Sequence, residues 1–178
     1  FKKYSLPKNN FIFYPAQFWE HKNHVNLIKA FKLVREKILN INLVFVGVEK
    51  NNLDNINYLI KKNKLENCIF ILGYIENEDV YSFYKSASLM CYVSYCGPTN
   101  IPPLEAMYLG CPLICSNKYG MPNQVKNGAL LVNPVSPKDI SKKILKILLN
   151  NSIRKKIVEN GFKIMKKKEK LNFEKFLN

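Results

Sequence analysis

The run Leu43-Val44-Phe45-Val46-Gly47 decides the fold, because it is a short, uninterrupted apolar segment that stops at a glycine. Such a segment is typical of a parallel strand that is buried on both faces of a sheet. The same pattern recurs at Ile69-Phe70-Ile71-Leu72-Gly73. Parallel strands need crossover connections, which are usually helices. We therefore expect an alternation of strands and helices on either side of residues 43–47.

The rest of the chain fits that alternation. Apolar runs predict further strands at residues 11–14, 89–93, 112–115 and 129–132. Apolar residues at helical spacing predict helices at residues 26–39, 52–63, 77–86, 102–109, 137–149 and 152–168, and a short turn at 173–177. Ser136 is expected to cap the helix at 137–149. This order indicates an α/β domain with a doubly wound, Rossmann-like parallel sheet at residues 1–168, followed by a helical tail at 169–178.

The composition narrows the class of protein. No apolar run approaches the roughly 20 residues that span a bilayer, and the N-terminus has no signal-peptide pattern. The five cysteines lack paired metal-ligand spacing and lie mostly in apolar runs, which favours buried thiols and a reducing, cytoplasmic compartment. The formal charge of +15 fits a solvated surface, and it also fits attraction of the Lys166-Lys167-Lys168 region to an anionic membrane face.

Ligands of doubly wound sheets bind beyond the carboxyl ends of the strands, near the point where the strand order reverses. The loop after residues 89–93 is the most informative of these places, since it reads Gly97-Pro98-Thr99-Asn100-Ile101-Pro102-Pro103-Leu104-Glu105 and leads into a helix. The free N–H groups and positive dipole end of a helix start can hold a phosphate. Glu105 is expected in the first turn, where it either accepts hydrogen bonds from a ribose diol or only complements the helix dipole. Spacing alone favours the dipole.

The loop after residues 11–14 offers a second group of polar residues. Lys22 lies beyond a strand end and just before a helix, where its charge can reach a phosphate. Asn23 is expected to cap that helix. His21 and His24 have no third ligand nearby, so a metal site is not expected. Two aromatic residues of the loop, Phe18 and Trp19, are expected to be packing residues rather than a stacking platform for a ligand.

Two more loops are expected to face the same cleft. Gly73-Tyr74-Ile75 follows a buried strand. It either offers backbone groups to a nucleobase, with Tyr74 stacking on the base, or is a simple turn. Residues 117–124 are expected as another loop after a strand.

In this order, the segments resemble the C-terminal, donor-binding domain of the family-four (group 1) retaining glycosyltransferases. Complete enzymes of that family have two Rossmann-like domains that face a cleft, an arrangement known as glycosyltransferase fold B. The resemblance covers almost the full length, from the Lys22-Asn23-His24 loop to Asn172-Phe173-Glu174 in the tail. It implies that this chain is one half of such an enzyme, and that the N-terminal, acceptor-binding domain is absent from it.

The motif of the family is a pair of glutamates with seven residues between them. Glu105 stands at the second position, which binds the nucleotide ribose in the family, whereas Gly97 stands at the first, where a glutamate contacts the donor sugar. Of the family's two basic residues near the pyrophosphate, Lys22 matches the lysine and Gln17 replaces the arginine. These departures are similar to those of bacterial lipopolysaccharide or capsule enzymes that are often described as mannosyltransferases.

The resemblance implies transfer of a hexosyl group from a UDP- or GDP-sugar to a polysaccharide or lipid-linked glycan, with retention of configuration. Lys22 and Glu105 are then the expected catalytic residues, and Lys22 acts with the N–H groups near Asn100 and Ile101 on the departing diphosphate. Neither a cofactor nor a metal is expected, and a nucleic-acid partner is not expected either. The expected donor site consists of Gln17, Gly73, Tyr74, Gly97, Thr99, Asn100, Ile101, Pro102, Leu104 and Glu105.

Three other functions fit parts of the pattern. One half of a sugar-nucleotide epimerase has the same fold, and product analysis separates an altered free nucleotide sugar from a transferred sugar. A non-catalytic nucleotide-sugar-binding module fits the glycine at position 97, and turnover would exclude it. A nucleic-acid-binding domain fits the charge, and its binding must weaken with salt.

Overall fold

Six strands and seven α-helices alternate along the part of the chain that the computed structural model describes. These are residues 2–4, 6, 10–97 and 100–177, with side chains described from residue 3 to residue 168. The strands are β1 Phe11–Pro15, β2 Asn42–Val46, β3 Ile69–Ile71, β4 Leu89–Tyr92, β5 Leu113–Ser116 and β6 Leu130–Val132. Neighbouring strands pair in parallel in the order β3-β2-β1-β4-β5-β6. The predicted doubly wound sheet is confirmed.

The helices lie close to the predicted segments. They are α1 His24–Arg35, α2 Leu53–Lys62, α3 Asn77–Ser86, α4 Ile101–Tyr108, α5 Met121–Val125, α6 Pro137–Leu149 and α7 Asn151–Leu177. Short 3-10 helices lie at Lys2–Tyr4, Glu20–Lys22 and Lys126–Gly128. Ser136 caps α6 as predicted, because its hydroxyl accepts a hydrogen bond from the backbone N–H of Asp139 at 3.2 Å.

Two helices differ from the expectation. The segment 117–124 is not a loop throughout, since α5 begins at Met121; a helix of five residues is too short to show helical periodicity. The helix α7 continues through the predicted separate turn at 173–177, because residues 165–177 contain no glycine or proline that would end it. Residue 168, the predicted end of the domain, thus lies inside α7, and the separate tail stays a prediction.

The core lies on both faces of the sheet. β1 pairs with β2 and β4, and its first four residues, Phe11 to Tyr14, are at most 1% exposed. Right-handed connections place α1 and α4 on opposite faces, where α1 packs against α6 and α4 packs against α7. Four cysteines are buried free thiols, as predicted: Cys68, Cys91, Cys111 and Cys115. Within the described ranges, no helix is long and apolar enough to cross a membrane.

The strand order reverses between β1 and β4. From β1 the chain moves outward to β2, and from β4 it moves the other way to β5. The loops that leave these two strands must therefore diverge, and a crevice forms between them at the carboxyl end of the sheet. The first loop covers residues 16–23 and the second covers residues 93–100, and both belong to the predicted site.

Candidate functional site

The two loops at the strand-order reversal are joined by hydrogen bonds. The backbone N–H of Tyr95 donates to the carbonyl oxygen of His21 at 2.8 Å, and the hydroxyl of Ser94, which lies 2.6 Å from the carbonyl oxygen of Cys96, is also 3.2 Å from that of His21. These bonds hold Lys22, the next residue along the chain, against the loop that leads into α4. The sheet therefore brings together two segments that are about 70 residues apart in sequence.

Asn23 joins three loops and does not cap α1 with its side chain, so the capping prediction is wrong. Its Nδ2 atom donates to the carbonyl oxygen of Val93 at 2.9 Å and to that of Pro134 at 2.7 Å. The residue is 1% exposed and has a left-handed backbone (φ 62°), which asparagine tolerates better than most residues. Its amide is engaged across the loops that follow β1, β4 and β6, and it fixes the position of the preceding lysine.

Lys22 lies beside the start of α4. Its Nζ atom donates to the hydroxyl oxygen of Tyr92 at 3.4 Å and is 5.8 Å from the centroid of that ring. The Tyr92 hydroxyl in turn donates to Oδ1 of Asn100 at 3.1 Å. The lysine is half-buried, and burial lowers the pKa of its ammonium group below the ordinary value. A cation that has lost part of its hydration in this way interacts more strongly with an anion than an exposed one does.

The start of α4 has few N–H donors. The helix begins at Ile101, one residue earlier than predicted, with Asn100 at the N-cap position. Pro102 and Pro103 carry no N–H group, so the free donors at this helix end are the backbone N–H groups of Asn100 and Ile101. Asn100 is 5% exposed, and its carbonyl oxygen accepts a hydrogen bond from Nε2 of Gln124 in α5 at 2.9 Å. These donors thus lie at or next to Asn100, which ends the hydrogen-bonded chain from Lys22 through Tyr92 and is held by Gln124.

Glu105 is the fifth residue of α4, and the prediction that it lies in the first turn is wrong. The interaction between the Glu105 charge and the helix dipole is therefore weak, because this interaction falls off within the first turn. Its Oε2 atom accepts a hydrogen bond of 2.8 Å from the hydroxyl of Tyr84 in α3. Burial, followed by the negative charge of Glu105, raises the pKa of Tyr84 well above its ordinary value, so the phenol stays a donor.

Gly97 leaves room for the side chain of Asn100. A Cβ atom at position 97 would lie 2.4 Å from Oδ1 of Asn100, which is closer than such contacts ever are. The Nδ2 atom of Asn100 also donates to the carbonyl oxygen of Gly97 at 3.3 Å. The asparagine amide therefore occupies the space that a side chain at 97 would enter. Thr99, predicted to bind the donor, lies outside the described residues.

The other predicted donor residues lie on neighbouring loops at the same edge. Gln17 is exposed, and its Oε1 atom accepts a hydrogen bond of 2.9 Å from Nε1 of Trp19. Gly73 has the left-handed backbone of a turn residue (φ +66°), and its carbonyl oxygen accepts from the N–H of Gly47 at 2.8 Å, which joins the ends of β2 and β3. Tyr74 beside it is 66% exposed. A stacking role for Tyr74 is compatible with this exposure and stays a prediction.

The aromatic residues of the first loop divide into two kinds. Phe18 is fully buried, as expected for a packing residue, whereas Trp19 is 37% exposed and packs at the surface. The indole of Trp19 stacks on His21, with ring centroids 6.5 Å apart, and Lys50 lies 5.3 Å from the centroid of its ring. The indole N–H group donates to the exposed Gln17, so all three polar neighbours of Trp19 lie at the surface.

His24 is a core residue. It is fully buried, and its ring centroid lies 4.9 Å from that of Tyr14 and 5.0 Å from those of Phe18 and Phe45. Burial lowers the pKa of its imidazole to about 3, so the ring is neutral near pH 7. Across the described parts of the chain, no group of three histidine, cysteine or acidic residues is arranged to hold a metal ion.

Three residues of this site were not named as site residues from the sequence, although Gln124 lies in the segment 117–124 that was expected to face the cleft. Tyr84 and Tyr92 contact predicted site residues through their hydroxyl groups, and Gln124 does so through its amide. A tyrosine inside a buried run is itself a signal, since its hydroxyl needs a partner in the interior. The identity of that partner depends on the fold and could not be read from spacing.

The chain is a Rossmann-like domain in which the ammonium group of Lys22 and the start of α4 lie where the strand order reverses. The model of a family described as "Glycosyl transferases group 1" matches residues 1–164, and the chain belongs to this family. A curated relative is the "O-antigen chain mannosyltransferase B" of Escherichia coli, which is 29% identical over 161 residues, or 90% of this chain and 42% of the relative. The chain spans less than half the length of such relatives.

Solved structures have the same fold. The C-terminal domain of a group 1 family glycosyl transferase (LpcC) from Francisella tularensis has a TM-score of 0.81 at 22% identity, and the match covers 91% of this chain and 86% of that one. The Anabaena protein Alr3699/HepE, solved in complex with UDP and glucose, has a TM-score of 0.81 at 18% identity. That match covers 90% of this chain and 44% of the other. The predicted family and fold are thereby confirmed.

Proposed function

We propose that this chain is the donor-binding domain of a glycosyltransferase that transfers a hexosyl group from a UDP- or GDP-sugar to a polysaccharide or lipid-linked glycan. The observation that carries this proposal is the position of Lys22, a half-buried cation next to the start of α4. Membership of the family supports it, as do the names of the relatives, which include an O-antigen mannosyltransferase and a capsular polysaccharide glycosyltransferase.

The reaction requires the bond between the anomeric carbon and the diphosphate to break. The bond to the acceptor oxygen forms on the same face of the sugar, so that configuration is retained, and the proton of the acceptor hydroxyl passes to the departing diphosphate oxygen. Negative charge develops on the departing diphosphate, and Lys22 and the N–H group of Ile101 stabilise it. Donors that are already oriented where charge develops supply much of the rate enhancement of such reactions.

Glu105 binds the ribose of the donor nucleotide in this proposal. Its carboxylate accepts hydrogen bonds from the ribose hydroxyl groups, and charge-assisted bonds of this kind are roughly twice as strong as neutral ones. Gln17, Gly73 and Tyr74 line the same edge of the sheet and contact the remaining parts of the donor.

No divalent metal takes part in the proposed reaction, because Lys22 and the helix start neutralise the diphosphate. This is testable by comparing nucleotide binding with and without EDTA. Equal affinity in the two conditions supports the proposal, and binding that requires added Mg²⁺ or Mn²⁺ contradicts it.

The acceptor is held by a second domain, and the protein acts in the cytoplasm at the inner face of the membrane. Exposed lysines lie along α6 and α7: Lys142, Lys146, Lys155, Lys156, Lys163, Lys166 and Lys167. Each lysine near an anionic bilayer contributes roughly 1 kcal/mol, and this attraction is lost in high salt. Sedimentation with vesicles that contain phosphatidylglycerol, at low and high salt, tests the membrane contact.

Thermal protection by nucleotide tests the proposed function. A ligand at one hundred times its dissociation constant stabilises a protein by about 2.7 kcal/mol, which raises the melting temperature of a domain of this size by roughly 5–10 °C. We expect protection by UDP or GDP, and its loss in Lys22→Ala and Glu105→Ala but not in Glu66→Ala, an exposed glutamate before β3. Failure of both nucleotides to protect the unmodified chain would contradict the proposal.

A non-catalytic nucleotide-sugar-binding module is the second candidate. The observation in its favour is the arrangement at Gly97, where the Asn100 amide fills the space next to a residue without a side chain. Turnover of a labelled nucleotide sugar by the full-length protein decides between the two. Transfer that Glu105→Ala abolishes supports the enzyme, and nucleotide binding without transfer supports the module.

A further inference from the structure

Tyr84 is a buried tyrosine outside every predicted site. It lies in α3, is fully buried, and packs edge-on against Phe13, with the ring centroids 5.1 Å apart and the rings 89° to one another. A buried phenol hydroxyl needs a hydrogen-bond partner. Both acceptors of this hydroxyl belong to α4: Oε2 of Glu105 at 2.8 Å and the carbonyl oxygen of Pro102 at 3.4 Å.

The shorter of the two bonds is the one to the carboxylate. A phenol has a single hydrogen to donate, and the 2.8 Å distance to Glu105 lies at the usual optimum, whereas 3.4 Å to Pro102 is long. Among the described residues, no donor contacts the other carboxylate oxygen, Oε1. The carboxylate is therefore held by one oxygen from within the protein, and the second oxygen remains an acceptor.

We propose that Tyr84 is a positioning residue of the nucleotide site: its hydroxyl fixes the carboxylate of Glu105 through Oε2 and so leaves Oε1 as the acceptor for a ribose hydroxyl. This rests on the proposed role of Glu105 in the donor site. A free glutamate side chain samples many rotamers and must be ordered when the ligand binds. A carboxylate that is already ordered binds the ligand without that cost.

The rigid setting of the tyrosine gives this bond its precision. The Tyr84 ring is fully buried under α3, its own helix, and packs edge-on against Phe13 of β1, so it cannot rotate away. A solvent-exposed partner, such as a lysine, would supply charge but would not fix direction. Tyr84 thus orients the glutamate from the core of the domain.

The test compares ribonucleotide with dideoxyribonucleotide binding. UDP and GDP, and their 2′,3′-dideoxy analogues, are titrated into the chain, and the ratio of the two affinities reports the hydrogen bonds to the ribose. We expect Tyr84→Phe to lower ribonucleotide affinity by about fivefold to tenfold and to leave the affinity for the dideoxy analogue unchanged. General damage to the domain would lower both affinities alike. The matched control is Tyr81→Phe, the same change at an exposed tyrosine of the same helix.

A double-mutant cycle links the effect to Glu105. If the tyrosine acts through the carboxylate, Glu105→Gln combined with Tyr84→Phe binds ribonucleotide no more weakly than Glu105→Gln alone. Glu105→Asp is a second variant that keeps the charge and leaves Tyr84 intact. The carboxylate of this variant is one methylene shorter and cannot reach both Tyr84 and the ribose. Glu105→Asp should therefore also reduce the ratio of ribonucleotide affinity to dideoxyribonucleotide affinity.

The outcomes separate this inference from the function it rests on. If Glu105→Gln reduces the ratio and Tyr84→Phe does not, or if the two effects add, the positioning role is overturned and the donor site stands. If the unmodified chain binds ribonucleotide and dideoxyribonucleotide equally well, the ribose role of Glu105 is overturned, and Tyr84 has nothing to position. If no nucleotide binds, the proposed function itself is contradicted.

Discussion

The two halves of the run from Gly97 to Glu105 are held in different ways. The second half is regular helix, and Glu105 is fixed from the core by Tyr84. In the first half, Asn100 is held by polar side chains from other elements: Lys22 acts through Tyr92 of β4, and Gln124 of α5 donates to the asparagine carbonyl. Under the proposed function, ribose recognition would thus rest on a side chain held by packing, whereas the proposed diphosphate site is a network in which each hydrogen bond can be lost singly.

Removal of the cation should have the largest effect. Lys22→Ala leaves the diphosphate without its charged donor, and we expect affinity for UDP or GDP to fall by about 2 kcal/mol, roughly thirtyfold. Lys146→Ala, at an exposed position on α6, is the control. Titration calorimetry measures both. Equal affinities of the two variants would show that the first half of the run contributes no electrostatic binding.

Removal of the carboxylate should have the next largest effect. Glu105→Ala deletes the acceptor for the ribose and should lower nucleotide affinity by about 1.5 kcal/mol, roughly tenfold. The melting temperature without ligand should also fall by a few degrees, because the buried Tyr84 hydroxyl loses its 2.8 Å acceptor and keeps only the 3.4 Å contact to the carbonyl oxygen of Pro102. A large loss of stability with unchanged affinity would instead mean that Glu105 serves the fold.

A side chain at position 97 should have a smaller effect. Gly97→Ala places a Cβ against Oδ1 of Asn100, which must move and give up its bond to Tyr92. We expect a loss of about threefold in nucleotide affinity, or roughly 0.7 kcal/mol. Adding Asn100→Gly removes the clash, so the double variant should be no weaker than Asn100→Gly alone. Additive losses in the two positions would show that they act independently.

A change of pH near neutrality should have the smallest effect on nucleotide affinity. Burial lowers the pKa of Lys22, so its charge is present below the lowered pKa and is lost as the pH rises through it. A bound diphosphate favours the charged form. Affinity should therefore decline as the pH rises toward 10.5, and Lys22→Arg should flatten the decline because arginine remains charged. An identical decline in Lys22→Arg would assign the titration to another group.

The fold was predictable because buried parallel strands are marked along the sequence itself. Residues 43–47 and 69–73 are apolar throughout, and helical periodicity marks the helices between them. The short helix α5 was not predictable, since five residues contain little more than one turn. The length of α7 was underestimated where its apolar pattern fades.

The site was predictable only as far as it is local in sequence. The strand-end loops indicated Lys22 and the start of α4. Asn23 was assigned to a cap because the nearest backbone donors favour that interpretation, whereas its true partners are Val93 and Pro134, far away in sequence. Tyr84 and Gln124 were not predicted for the same reason, since each is more than twenty residues from the residue it contacts.

A crystal structure of this chain with UDP or GDP tests the central claim most directly. We expect the diphosphate to lie within hydrogen-bond distance of Lys22 Nζ and the N–H of Ile101, and a ribose hydroxyl to donate to Oε1 of Glu105. A cavity of about 380 Å³ lies at the amino ends of β4 and β5, opposite the loops around Lys22, and is lined in part by Ser88 and Arg154. This cavity is the competing location for an anionic ligand. A nucleotide bound there, with the loops around Lys22 empty, would contradict the account.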